Sequence, residues 1–293
     1  MSSVTEFGRQ LLRTGDLDPV YVALHGANLP TDTLARLCLA YWCFYHLGAA
    51  AQLAEIKQPS KFWDAMMHAA RNEGARPDGS KPWPRGAARR HFRGAQAVDA
   101  MAELINRYPH SKGPHAVAGM LGVQPFAGAP TTYADVARSV QTHRGFGPWI
   151  AFKIADMSER VLGCATDFSD CHLGIYKDPR QGAAVALLEW SEENRGEYRS
   201  RYCWEAKFWD YPITDAELAS TVAHYVTVFR GHKAPPDGNR PVNVQEVETI
   251  FCKYKSHLKG HYPPGKDTRE LRHALKGWGD LAEELGTHLP RGQ

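Results

Sequence analysis

An all-α fold is what this sequence predicts, and three observations carry it. Helix start and stop signals recur along the whole chain, and several take the form of a capping box, in which a cap residue is followed three positions on by Glu. Alternating apolar and polar runs of strand type are scarce. No Asn-Gly turn joins two of them.

The candidate helices follow in chain order. Thr31 or Asp32 is placed to cap a helix from Leu34 to Ile56, and Ser60 to cap a second that stops at Gly74. After the Pro/Gly-rich stretch 76–86, a third runs from Ala87 to Tyr108, with Gly94 as its weak point. Thr132 to His143 supplies a shorter helix. Pro148 to Leu162 supplies the next, with Pro tolerated at the first helical position. Thr214 with Glu217, Asn243 with Glu246, and Asp267 with Glu270 give three capping-box patterns further on. The segment 231–241 reads as a linker, which divides the chain into a helical body over 1–230 and a C-terminal helical piece over 242–293 packed on it.

Size and composition narrow the class. With 293 residues the chain can bury one large core or two modest ones, and 43% hydrophobic with 23% charged residues is the balance of a soluble globular protein. The longest apolar stretch, Leu34 to Leu53, is interrupted by Arg36, His46 and Gln52, so it reads as a buried helix and no membrane partner is expected. The N-terminus lacks the pattern of a signal peptide, which points to a cytoplasm. Cysteines at 38, 43, 164, 171, 203 and 252 form no CxxC pair and no zinc-finger spacing, so buried thiols are expected and neither a metal nor another cofactor.

A net charge of only +3 means that any nucleic-acid binding must come from local clusters. Two segments qualify. The stretch 81–94 has no acid and carries Arg85, Arg89, Arg90 and Arg93; arginines crowded into first helical turns oppose the helix dipole, which favours an anionic partner. The stretch 251–266 carries Lys253, Lys255, Lys259 and Lys266 with Ser256 and two His, and no acid until Asp267. It reads as a seat for a pyrophosphate or a DNA backbone, or as a basic surface helix. Cys252, set among these lysines, is the candidate for a covalent thiolate adduct. A third segment, Asp167 to His172, gathers Asp167, Asp170 and His172 and suits acid/base work, although Asp170 also fits an ordinary helix cap. The aromatic run 202–211 suits either base stacking or core packing.

The most informative stretch is Arg144-Gly145-Phe146-Gly147-Pro148-Trp149-Ile150, which opens an apolar helix. A Gly-x-Gly turn at a helix N-terminus leaves backbone amides free for a phosphate. It resembles the hairpin of helix-hairpin-helix DNA glycosylases, with the hairpin helix at 144–162. In those enzymes a catalytic Asp follows at a fixed interval, and Asp167 lies 22 residues after Gly145. With the stretches 83–94 and 252–267 added, the chain resembles the phage amino acid:DNA transferases, also called α-glutamyl/putrescinyl thymine pyrophosphorylases.

That resemblance implies a glycosylase-like helical fold with a C-terminal helical extension. It implies a double-stranded DNA substrate carrying a modified thymine, a free amino acid as second substrate, and the cytoplasm of an infected bacterium as the place of action. The amine would displace pyrophosphate from 5-(pyrophosphoryloxymethyl)uracil. Gly145, Gly147, Pro148, Trp149 and the four arginines would bind DNA, the lysine segment with Ser256 would bind pyrophosphate, and Asp167, with Asp170 and His172, would handle protons. Trp149 stands where bifunctional glycosylases hold a Schiff-base lysine, so a lyase reaction is not expected. A monofunctional glycosylase and a non-enzymatic DNA-binding protein are the alternatives.

Overall fold

A computed structural model describes residues 3–74, 83–87, 89, 92–124, 130–173, 177–191, 195–196 and 208–291. In chain order the elements are α1 (Val4–Thr14), α2 (Pro19–Gly26), α3 (Thr31–Phe44), α4 (Leu47–Ala54), α5 (Pro59–Arg71), α6 (Gly94–Arg107), α7 (Gly113–Leu121), β1 (Thr131–Thr132), α8 (Tyr133–Gln141), α9 (Pro148–Leu162), β2 (Thr166–Asp167), α10 (Lys177–Trp190), α11 (Asp215–Phe229), α12 (Val244–Leu258), α13 (Lys266–Leu275) and α14 (Asp280–Thr287). The fold is all-α. Its one described ladder pairs β1 with β2 in parallel, Thr131 opposite Thr166 and Thr132 opposite Asp167. Among the described residues, no helix is long and apolar enough to cross a membrane.

The contacts divide the chain into two compact units that interleave in sequence. One comprises Met1–Pro19, Phe168–Arg269 and Pro290–Gln293, the other Val20–Asp167 and Glu270–Leu289. This differs from the expected linear order of body, linker and extension. The stretch 231–241 lies inside the first unit, and the last helix, α14, packs in the second, against α4.

In the first unit, α10 and α12 pack face to face, with α1 and α11 against them. Phe7, Leu11, Phe229, Ile250 and Phe251 are fully buried there. The approach is close enough that a Cβ on Gly182 would sit 2.1 Å from the Phe251 carbonyl oxygen, and one on Gly8 2.5 Å from the Phe229 ring. Glycine at these points is what lets the backbones meet. The capping boxes Thr214/Glu217 on α11 and Asn243/Glu246 on α12 form as expected. The third expected cap, Asp267, lies inside the first turn of α13, which begins at Lys266. Asp16, 1% exposed, serves that end from 252 positions away. Its carboxylate accepts from the Gly265 amide (2.8 Å), the Thr268 amide (3.0 Å), the Thr268 hydroxyl (2.8 Å) and the Tyr262 hydroxyl (2.9 Å).

In the second unit the helix expected over 34–56 is two. Tyr45 adopts φ +53°, a left-handed residue that ends α3, and its amide bonds the Tyr41 carbonyl at 2.6 Å. His46 then caps α4, its Nδ1 accepting from the Ala49 amide at 3.2 Å. The cap of α3 is Pro30 rather than Thr31 or Asp32; Asp32 lies in the first turn and pairs with Arg36. Pro59 occupies the first turn of α5, so Ser60 is inside that helix, not its cap. The helix expected from Ala87 starts only at Gly94, with the extended Arg93 (φ −136°) as its N-cap. Tyr21, Asp156 and Arg160 form a buried polar cluster tying α2 to α9: the Tyr21 hydroxyl donates to Asp156 at 2.9 Å and Arg160 pairs with Asp156 at 3.5 Å.

Candidate nucleic-acid interface and catalytic residues

Helices α8 and α9 pack on one another and are joined by the turn 142–147. Thr132 caps α8, its hydroxyl accepting from the Asp135 amide at 3.2 Å. Gly145 turns the chain at φ +82°, a left-handed conformation that any other residue would resist. Gly147 is different. It is the N-cap of α9 at φ −82°, and a Cβ built on it meets nothing within 4 Å. No side chain caps the first turn of α9, and Pro148 opens it.

Residues that sequence reasoning passed over hold this turn. Arg107, at the end of α6, donates to the Thr142 carbonyl at 2.6 Å and to its hydroxyl at 3.0 Å. Arg144 pairs with Asp99 of α6 at 2.8 Å. The Tyr108 hydroxyl meets His143 Nε2 at 2.8 Å, and burial holds the His143 imidazole below its usual pKa. Phe146, 2% exposed, sets its ring edge-on to Phe92, while Trp149 lies edge-on to Tyr45 at 5.3 Å. No local signal marks these partners, because the chain separates them by 35 residues or more.

The arginine segment divides. Arg89 is 3% exposed and faces inward: it donates to the Cys43 carbonyl at 3.2 Å and the Gly145 carbonyl at 3.0 Å, with its guanidinium over the Phe92 and Phe146 rings. Arg85 donates to the Ala69 carbonyl at 2.6 Å and lies over Phe44. Burial pushes both guanidinium pKa values down to about 10, which leaves them charged at neutral pH. The expectation that Arg85 and Arg89 grip DNA is therefore corrected; they brace the core and the turn. Arg93 stays at the surface, paired with Glu73 at 2.7 Å. Arg90 lies outside the described residues.

The lysine segment is likewise engaged. Lys253, half-buried, pairs with Asp267 at 2.6 Å and donates to the Asp16 and Leu17 carbonyls, and the buried Lys255 pairs with Asp178. The Ser256 hydroxyl turns back to the Cys252 carbonyl at 3.3 Å. These three do not form the open pyrophosphate seat that their spacing suggested, and the carboxylate of Asp16 already fills the start of α13. Lys259 lies over the Trp209 ring at 4.5 Å and Lys266 donates to the His261 carbonyl at 2.9 Å. Most of the aromatic run, 202–207, is outside the described residues.

Of the acid/base candidates, Asp167 is exposed at the end of β2, fixed opposite Thr132 at the start of α8. It closes the second unit, and Asp170 and His172 belong to the first. His172 is exposed and lines a cavity of about 660 Å³ with Phe168, Cys171, Leu218, Val222 and Val244; Asp170 is half-buried and lies outside that lining. Among the described residues, no group of three or more His, Cys, Asp or Glu is arranged to hold a metal.

The amino acid:DNA transferase family model matches residues 11–262, which includes α8, α9, Asp167 and the lysine segment as far as Tyr262. The chain belongs to that family. The transferase is 40% identical over 294 residues to a glycinyltransferase of Pseudomonas phage PaMx11, covering 96% of this chain and 92% of the relative. It is also 29% identical over 280 residues to a putrescinyltransferase of Delftia phage PhiW-14, covering 95% of this chain and 80% of the relative. Of the readings open from sequence, the enzymatic transferase stands.

Proposed function

We propose that this transferase joins an amino acid, with glycine the first candidate, to a thymine methylene in double-stranded phage DNA, in the cytoplasm of the infected bacterium. The observation that carries the DNA reading is the uncapped start of α9 behind an unobstructed Gly147, a geometry suited to a backbone phosphate. The glycinyltransferase relative supports the choice of donor. The modified base has to leave the stack to be reached.

In the proposed step the amine lone pair attacks the methylene of 5-(pyrophosphoryloxymethyl)uracil. A C–N bond forms, the C–O bond breaks, and its electron pair departs with pyrophosphate. One ammonium proton is lost before attack and a second after it. Asp167, exposed and fixed on β2, is our candidate to accept them, with Asp170 and His172 as the neighbouring groups in sequence. Lys259 and Lys266 are our candidates for the leaving group, whose charge is the largest electrostatic demand of the reaction.

The test is mass spectrometry of nucleosides after incubating the protein, an amino acid mixture and pyrophosphorylated DNA. The expected product carries an amino acid through nitrogen, with an equal amount of pyrophosphate and no abasic site. Abasic sites without amino acid incorporation would hand the function to a glycosylase.

A further inference from the structure

The first unit holds a concentration of positive charge that neither the hairpin nor the lysine segment includes. Arg9 and Arg13 lie one turn apart on α1, and His232 and Lys233 follow the end of α11; with Leu12 they line an open cavity of about 420 Å³. None of the described residues lining it is acidic. Arg9, Arg13 and Lys233 are exposed, and among the described residues they have no carboxylate partner. This contrasts with Arg107, Arg144, Lys253 and Lys255, all paired with carboxylates.

Two like charges at i and i+4 repel on a helix surface, and a third cation facing them adds to the cost. The helix dipole explains Arg13, which sits in the last turn of α1, but not Arg9 or Lys233. Nor does general basicity, since the whole chain carries only +3. An anionic ligand removes the repulsion. Two arginine forks and a lysine spread around an open concavity fit a row of phosphates better than one small anion, which is held by enclosing donors.

We propose that Arg9, Arg13 and Lys233 bind the phosphate backbone of duplex DNA, as a contact made by residues other than those of the hairpin. This rests on the reading of DNA as the substrate. Backbone contacts release counterions, so each adds roughly 0.9 to the slope of log affinity against log salt.

The experiment measures binding of a fluorescent duplex over a salt series by the wild type, by Arg9→Ala/Arg13→Ala/Lys233→Ala, and by Arg9→Lys/Arg13→Lys, with circular dichroism to confirm folding. The expected result is at least about tenfold weaker binding and a slope reduced by about two to three for the alanine variant. The lysine variant should stay close to wild type. A folded alanine variant with unchanged affinity and slope overturns the proposal while leaving the transferase reading intact. So does a variant that keeps its DNA affinity but loses inhibition by free pyrophosphate, which would assign the cations to the leaving group. A wild-type protein that binds no duplex would overturn the DNA reading itself and this proposal with it.

Discussion

The two hairpin glycines have different reasons to be glycine. Gly145 needs its left-handed φ, so Gly145→Ala should cost about 1–2 kcal/mol of stability, read as a lower denaturant midpoint. Gly147 has an ordinary φ and open space where a Cβ would go. Gly147→Val should therefore leave the thermal midpoint near wild type and still weaken DNA binding, because the added side chain obstructs only an approaching phosphate. Equal DNA affinity would remove α9 from the interface. At Asp167 the isosteric change Asp167→Asn keeps shape and removes charge. It should leave DNA affinity within a few-fold and cut turnover by a factor on the order of a hundred or more. An active Asp167→Asn beside a dead Asp170→Asn would move the catalytic assignment to Asp170.

The elements bracing the site depend on buried polar groups whose protonation and pairing can be tested. His46 caps α4 and lies against Trp278, and burial lowers its pKa from 6.5 to about 4. The folded state therefore favours neutral His46, while the unfolded chain takes up a proton near pH 6.5. Its contribution is full above pH 6.5 and is lost as pH falls toward about 4. Urea unfolding across this window should show declining stability, with a shallower decline in His46→Asn, which keeps a capping acceptor and does not titrate. Arg89 belongs to the same scale. Arg89→Ala strips a buried donor from the Cys43 and Gly145 carbonyls and should destabilise by about 2–3 kcal/mol. A loss of DNA affinity without any loss of stability would return Arg89 to the interface.

Across the whole molecule, thiol accessibility reports the integrity of both units. Cys38, Cys43, Cys164 and Cys171 are buried, and burial pushes the Cys43 thiol up to about 12 and Cys38 further still; Cys252 is half-buried. With Cys203 and Cys171 replaced by Ser, the latter because it lines the cavity beside His172, a small alkylating reagent should label Cys252 in the native protein and reach Cys38, Cys43 and Cys164 only on unfolding, since the thiolate is the reactive form. Labelling of Cys38 or Cys43 under native conditions would contradict the packing of α3. Cys252→Ser should keep its turnover under direct displacement, and a loss of turnover with DNA binding intact would favour the covalent adduct.

The sequence by itself determined what depends on neighbours within a few positions: the all-α class, a helix at α8, α9 from Pro148, the boxes on α11 and α12, and the stretch opening α9 that, with the two basic segments, led to the family. These are short-range patterns, since a cap bonds two or three residues ahead and a helical face repeats every three or four. Only the tertiary structure decided where the cations point. Arg89 reaches a carbonyl 56 residues away, and Lys253 one 237 residues away. The break at Tyr45 and the filling of the α13 start by Asp16 were hidden for the same reason. A basic segment reads alike whether it meets solvent, a phosphate or the protein's own carbonyls. The choice among them is made by burial and by distant partners, which spacing along the chain does not encode.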